Sequence, residues 1–228
     1  MRRAFPYNHP VDATVAKLLE SPRLVLYLRQ LEAVVSREKE ARERFYSEMT
    51  ENEKVEFING EVILHSPVKK HHNECVGRLY NLLKPFVQKK ALGFVGFEKI
   101  LVRLTRNDYE PDLCFFGSET SDAFTPEQMF FPAPDFVVEV LSKSTANRDR
   151  GIKFSDYAAH GVTEYWLIDP LSEVLEQYRL EDETYTLELK SGTGTVESFA
   201  VNGFALPIKA LFDDDENLQT LINMLASF

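Results

Sequence analysis

The sequence predicts an α/β protein in which a mixed β-sheet is flanked by helices. Residues 136–141 are apolar except for Glu139, which is typical of a strand buried on both faces. Residues 174–180 and 184–189 alternate apolar and polar side chains, as an antiparallel pair does. Apolar residues also recur at helical spacing in two further segments, so helices and strands are mixed along the chain.

The first of these segments predicts a long helix near the N-terminus. Ser21 and Pro22 are typical of an N-cap and the first helical position. A charged stretch over 38–44 continues the helix. The apolar stripe consists of Leu24, Leu28, Leu31 and Val35. We expect this stripe to pack against the core or against a second subunit.

The next elements are a hairpin and a second helix. Asn59-Gly60 is a strong two-residue turn signal and predicts a hairpin over 55–64. Ser66-Pro67 then opens a helix predicted to run to residue 90. Its apolar face carries Val76, Leu79, Leu82, Leu83 and Phe86.

The remaining elements alternate between strands and helices. A helix over 147–159 is predicted to end at His160-Gly161, which is a C-cap signal. Residues 117–133 predict a loop with one helical turn. The predicted strands are 94–104, 113–116, 136–141, 164–168, 174–180 and 184–189, and the last helix is 218–225.

Length and composition indicate the number of domains and the cellular compartment. With 228 residues, 44% of them hydrophobic, the chain is long enough for one globular domain with an extension or for two small domains. We predict the first arrangement, with a helical extension over 1–48 and one domain over 49–228. No apolar stretch approaches the roughly 20 residues of a membrane span, and the first six residues lack the apolar block of a signal peptide. Two cysteines make no disulfide framework, so we expect a soluble protein of the reducing cytoplasm without membrane partners.

Charge is distributed unevenly although the net charge is -10. Residues 65–106 carry a net +7, residues 107–142 a net -8 and residues 143–153 a net +3. Residues 169–228 carry a net -9. An acidic segment between two basic ones is what a cation site beside a polyanion groove requires, but ordinary solvated faces would give the same blocks.

Two carboxylates form the candidate centre. Glu139 in its apolar strand needs a cation, strong hydrogen bonds or a shifted pKa. Asp135 lies on the same strand about 13 Å away, whereas Asp112 on a neighbouring strand can approach across about 4.8 Å. Carboxylates that face each other repel unless a cation or proton joins them, and oxygen ligands favour Mg²⁺ or Mn²⁺. The alternative is a protonated or arginine-paired acid pair.

Two further residues are candidates near this centre. Lys153 shares a helix face with Asp149 and Asp156, so a surface lysine paired with either acid is an alternative to a catalytic one. Glu61 follows the Asn59-Gly60 turn and is either a third acid of the site or a solvent-facing hairpin residue.

Basic residues in the same regions are candidates for nucleic-acid contacts. His71 and His72 point about 100° apart on a helix, so they cannot chelate one ion together, and contact with phosphate is the functional alternative. The other candidates are Lys69, Lys70, Arg103, Arg148 and Arg150, which could equally be surface charges.

Several segments in order are similar to a known family. Residues 110–113, 134–145, 148–157 and 161–170, with the Phe57-Ile58-Asn59-Gly60-Glu61 hairpin, resemble the Uma-type restriction endonucleases of the PD-(D/E)XK nuclease superfamily. The resemblance covers roughly residues 45–200. The residues before it look like an extension that only some members carry.

The resemblance implies a restriction-endonuclease-like core and divalent-metal-dependent phosphodiester cleavage. By position, Asp112 resembles the PD aspartate and Glu139 the acid of the (D/E)XK strand, so both would hold Mg²⁺ or Mn²⁺. Glu61 matches the glutamate of the turn motif and could add a ligand. The superfamily lysine would stand at Leu141, and Lys153 is the substitute that would orient or deprotonate the water, or neutralise charge.

The predicted function is therefore a Mg²⁺-dependent endodeoxyribonuclease. The displaced lysine and the net charge of -10 keep open an inactive nucleic-acid-binding or assembly module with the same fold. A metal-dependent hydrolase of another phosphate ester is a third possibility. The long helix with an apolar stripe at 22–35 also predicts a homodimer, because cutting both DNA strands needs two sites.

Overall fold

The structure is a computed structural model that describes residues 12–50 and 53–227. The chain divides into two compact units, one of Met1–Met49 with Asn59–Glu61 and one of Thr50–Ile58 with Val62–Phe228. Residues 1–11 of the predicted extension lie outside the described residues. The boundary predicted after residue 48 stays a prediction.

The first unit contains helices α1 (Ala13–Leu19) and α2 (Leu24–Glu48). Asp12 caps α1 by accepting a hydrogen bond from the Thr14 amide at 2.7 Å. The predicted stripe on α2 exposes apolar side chains, because Leu28, Leu31 and Val35 are 51%, 54% and 62% accessible.

The second unit is built from a central sheet, a smaller sheet and five helices. The helices are α3 (Lys70–Lys90), α4 (Ser118–Ser121), α5 (Ala146–Asp149), α6 (Ile152–Ala159) and α7 (Asp214–Ala226), with a 3₁₀ turn at Ile208–Leu211. The strands, in chain order from β1 to β13, are Val55–Ile58, Glu61–Leu64, Gly93–Phe97, Leu101–Arg103, Asp108–Tyr109, Leu113–Gly117, Phe130–Phe131, Phe136–Val140, Glu164–Asp169, Val174–Glu181, Thr184–Ser191, Thr195–Glu197 and Ala205–Pro207.

The central sheet positions the candidate residues. Its order is β11-β10-β9-β8-β6-β3, and only the pair β8 and β9 is parallel. A parallel pair needs a crossover, which α5 and α6 supply. The second sheet has the order β2-β1-β5-β4-β7, and β12 pairs with β13. The mixed α/β fold that the sequence predicts is confirmed.

Apolar side chains cover both faces of the central sheet. Phe136, Val138 and Val140 on one face of β8 pack in a cluster with α3, while Val137 and Leu141 on the other face pack with Tyr157 of α6. The continuous apolar run at 136–141 therefore reflects burial on both faces, as its sequence predicts.

Some element predictions were wrong in detail. The predicted strand 94–104 is two strands in different sheets, because Glu98 and Lys99 turn the chain with φ of 44° and 50°. The predicted helix 147–159 is interrupted at Arg150-Gly151 between α5 and α6. The sequence signals missed the short strands β5, β7, β12 and β13, since two or three residues give too little periodicity to detect.

The hairpin prediction is confirmed, with Asn59 and Gly60 at φ of 51° and 87° as a two-residue turn with both central residues left-handed requires. Among residues 12–50 and 53–227, no helix combines the length and apolar character that crossing a membrane demands.

Candidate active site

The two candidate carboxylates lie opposite each other on adjacent strands. Strands β6 and β8 pair antiparallel with Leu113 opposite Val138, and continuing this ladder by one residue places Asp112 opposite Glu139. Both residues are buried, with 6% and 3% of their surface exposed. Alternation along each strand puts both on the Tyr157 face of the sheet. The strand register therefore places Asp112 and Glu139 side by side on one face of the sheet, as binding of a shared cation would require.

Lys153 lies beneath this pair and is surrounded by acids. Its Nζ lies 3.0 Å from Glu139 Oε1, 2.7 Å from Glu56 Oε1 and 3.5 Å from Asp149 Oδ1. The side chain is only 2% exposed. Burial lowers the pKa of Lys153, but the charges of Glu139, Glu56 and Asp149 outweigh it and hold this pKa well above its ordinary value. Lys153 is therefore a fixed positive charge.

Glu56 extends the same network and was not predicted from the sequence. It lies on β1, is fully buried and accepts a hydrogen bond from the Glu110 amide at 3.1 Å. Burial raises the pKa of Glu56, but Lys153 and His65 lower it more, to about 2. His65 Nε2 lies 2.9 Å from Glu56 Oε2. Glu56 is thus an ionised member of the site.

Asp112 is held by three partners. Its Oδ2 accepts a hydrogen bond from the Val140 amide at 2.9 Å and lies 3.2 Å from His72 Nε2, while its Oδ1 lies 2.8 Å from Lys54 Nζ. Burial raises the pKa of Asp112, but His72 and Lys54 together bring it well below its ordinary value. Asp112 is therefore ionised at neutral pH and already oriented.

Glu139 differs from Asp112 in its electrostatics. Burial raises its pKa most, Lys153 opposes this, and Asp149, Asp112 and Glu56 raise it further, so the pKa of Glu139 lies well above its ordinary value. The physical cause is an excess of negative charge in a dry site. An additional cation near Asp112 and Glu139 would relieve this excess.

The charge balance fits a divalent cation. When ionised, Glu56, Asp112, Glu139 and Asp149 carry four negative charges, and the Lys54 and Lys153 ammonium groups carry two positive ones. These six side chains then leave two negative charges for a cation to offset. Within the described ranges no three His, Cys, Asp or Glu side chains form a ready-made metal cage. Mg²⁺ is commonly held by one or two carboxylates, with water and substrate phosphate completing its shell. Asp112 and Glu139 are such a pair.

A cavity of about 310 Å³ opens above the two carboxylates. Asp112, Glu139 and Lys153 line it, together with the predicted nucleic-acid contacts Lys69, His71 and Arg148. Further lining residues are Lys54, Leu64–Val68, His72, Leu141–Thr145 and Leu171. The Nε of Arg148 is buried and has no hydrogen-bond partner among the described residues. The cavity therefore combines an acidic floor with cationic walls.

Other predicted contacts lie away from the lining of this cavity. Lys70 is 86% exposed in its side chain and pairs with Glu74. The Arg150 guanidinium forms a bidentate pair with the Glu176 carboxylate, in which Nη1 donates to Oε2 at 2.5 Å and Nη2 donates to Oε1 at 3.1 Å. The Arg103 guanidinium lies 5.4 Å from the Phe130 ring centre.

Glu61 is the remaining predicted site residue. It begins β2, is exposed and belongs to the first compact unit, whereas all the residues that line the cavity belong to the second. Glu61 is not among the residues that line the cavity, so its role as an additional metal ligand stays a prediction.

The fold and the acidic pair place the protein in the class of restriction-endonuclease-like folds. Residues 40–209 match the Uma2 family model, which is described as "putative restriction endonuclease". The chain belongs to this family. The predicted family and the observed one therefore agree, over a longer stretch than the 45–200 that the sequence suggested.

The chain is also similar to two single proteins. The chain is 30% identical over 142 residues to "uncharacterized protein sll1609" of Synechocystis sp., which covers 61% of this chain and 79% of that protein. It also resembles a crystal structure from Anabaena variabilis, described as a "putative nuclease belonging to DUF820", with a TM-score of 0.64 and 19% identity. That match covers 74% of this chain and 94% of the other and supports the shared fold.

Proposed function

We propose that this protein is a metal-dependent endodeoxyribonuclease that hydrolyses phosphodiester bonds in DNA. The observation that carries the proposal is the placement of Asp112 and Glu139 opposite each other in the floor of a cavity with cationic walls. Membership of a restriction-endonuclease-like family supports phosphodiester hydrolysis as the reaction class.

Asp112 and Glu139 would hold Mg²⁺ or Mn²⁺. When bound, such an ion supplies Lewis-acid polarisation of the phosphate and a water of lowered pKa. Lys153 lies 3.0 Å from Glu139 and opposes the rise in the pKa of that carboxyl group, so it favours the ionised carboxylate that a cation would bind. Asp112 is oriented by the Val140 amide at 2.9 Å. The chain thus contributes a preorganised pair of ligands.

The walls of the cavity would position the DNA backbone. Lys69, His71 and Arg148 line it, and the unpartnered Nε of Arg148 can donate a hydrogen bond to a phosphate oxygen. Such contacts fix the substrate without reading its sequence. The proposed cellular setting is the cytoplasm, a reducing compartment that suits the two free, buried cysteines.

The test is cleavage of supercoiled plasmid DNA by the purified chain. We expect nicked and linear products with millimolar Mg²⁺ or Mn²⁺ and none with EDTA, because both ligands are acids that bind hard cations. Salt-dependent DNA binding without cleavage in either metal would instead favour an inactive nucleic-acid-binding module. Cleavage that EDTA leaves unchanged would contradict the metal mechanism.

We also propose that the protein acts as a homodimer through the exposed stripe on α2. The stripe exposes Leu28, Leu31 and Val35, and contiguous apolar surface of this kind commonly marks a contact. Light scattering at micromolar concentration is expected to give twice the 26.2 kDa of one chain. Leu31→Glu should return the mass to that of one chain. Leu218→Glu, on a 57% exposed residue of α7, is the matched control and should leave the mass unchanged.

A further inference from the structure

The ammonium group of Lys153 is enclosed by acids. An ammonium group has three N–H donors, and three carboxylates surround this one at 2.7, 3.0 and 3.5 Å. Its side chain is only 2% exposed, against 20% for that of Lys54, so Lys153 is the less accessible of the two lysines that line the cavity. Lys153 therefore serves to neutralise the buried network.

Lys54 is placed differently. It immediately precedes β1, and because side chains alternate along an extended chain, Lys54 lies on the same side as Glu56. Its side chain is 20% exposed, and its Nζ contacts Asp112 Oδ1 at 2.8 Å. This is the single hydrogen bond that Nζ makes to the described side chains, and Lys54 lines the cavity with both proposed metal ligands.

We propose that Lys54, and not Lys153, is the lysine that contacts the phosphodiester in this site, and that it competes with the divalent cation for Asp112. The inference rests on the nuclease function proposed above. The Nζ of Lys54 donates a hydrogen bond to Asp112 Oδ1 at 2.8 Å. A cation held by Asp112 would take this oxygen, and the ammonium group would then be free to donate to a non-bridging phosphate oxygen and to offset the charge that develops in the transition state.

This competition gives a signature that a purely structural lysine would not give. Removing the ammonium group frees Asp112 Oδ1, so divalent cations should bind more tightly. Removing it also takes a positive charge from the phosphate, so cleavage should slow. Metal affinity and cleavage rate should therefore change in opposite directions. A variant that merely damaged the fold would lower both.

The experiment compares Lys54→Met and Lys54→Arg with the wild-type chain. Mn²⁺ affinity is measured by calorimetry without DNA, and plasmid cleavage is measured at saturating Mn²⁺. For Lys54→Met we expect Mn²⁺ to bind about tenfold more tightly or better, since a unit charge a few Å away is removed. We expect its cleavage rate to fall about 10²-fold or more. Lys54→Arg should keep most of the cleavage, because it retains a cation.

The control is Lys209→Met, whose side chain is 65% exposed and lies 3.9 Å from Asp213. It should change neither quantity. Weaker Mn²⁺ binding by Lys54→Met, or cleavage at the wild-type rate, would overturn the inference while leaving the nuclease function standing. A wild-type chain that binds Mn²⁺ but cleaves no DNA would overturn the proposed function, and with it the phosphate contact of Lys54. Tighter Mn²⁺ binding by Lys54→Met would then still support the competition for Asp112.

Discussion

Lys153→Met is expected to lower the free energy of unfolding by about 3–5 kcal/mol, because removing one partner of a buried ion pair leaves an uncompensated charge. In this protein three acids would lose their cationic partner, because Glu56, Glu139 and Asp149 all lie within 3.5 Å of the ammonium group. Methionine fills a similar volume, so the loss would be electrostatic and not a cavity. Urea denaturation followed by circular dichroism measures it.

The control for this prediction is Lys70→Met. Lys70 also pairs with a glutamate four residues away, but its side chain is 86% exposed. Exposed pairs of this kind contribute about 0.3–0.5 kcal/mol, so this variant should be close to wild type. The double variant Lys153→Met with Glu139→Gln should lose less than the sum of the single changes, since one of the uncompensated acids is then neutral. A loss below about 1 kcal/mol for Lys153→Met would mean that the network is not charged as described.

Asp112→Asn is expected to lower metal-dependent cleavage on the order of 10³-fold, because the bound cation supplies several kcal/mol of charge stabilisation. The amide has nearly the shape of the carboxylate, so the fold should persist. The variant loses the ionic contact with Lys54 at 2.8 Å and presents a neutral oxygen to the cation. Its Mn²⁺ affinity should fall together with its cleavage rate, in contrast to the Lys54→Met variant.

Asp122→Asn is the control for this comparison, since Asp122 is exposed and does not line the cavity. Single-turnover cleavage with saturating Mn²⁺ separates the catalytic defect from the binding defect. Cleavage by Asp112→Asn within a few-fold of wild type would remove Asp112 from the metal-binding pair.

The buried glutamates show what sequence patterns can and cannot distinguish. Glu164 is fully buried like Glu139 and begins a strand that is equally apolar. In the structure its two oxygens accept hydrogen bonds from Trp166, Gln177, Ser198 and the amides of Phe199 and Ala200. These donors are neutral, and all of them except Trp166 lie 13 to 36 positions away along the chain. Glu164 is therefore a structural acid, and no local pattern separates it from Glu139.

Glu56 could have been found from the sequence. It stands between Val55 and the apolar pair Phe57-Ile58 in a predicted strand, which is the same argument that singled out Glu139. The turn motif drew attention to Glu61 instead, although Glu61 is exposed. A buried acid inside an apolar strand was thus a better signal than an acid beside a turn.

By itself, the sequence determined the mixed α/β fold, the family and the pairing of Asp112 with Glu139. Alternation, apolar runs and turn signals are local properties, and the spacing of adjacent strands limits which acids can meet. Only the tertiary structure decided that Lys153 is enclosed by three acids and that Lys54 reaches Asp112. These contacts join residues 14 to 97 positions apart, except for Asp149, and their distances depend on how β1 and α6 pack against the central sheet. Local patterns carry no information about such packing.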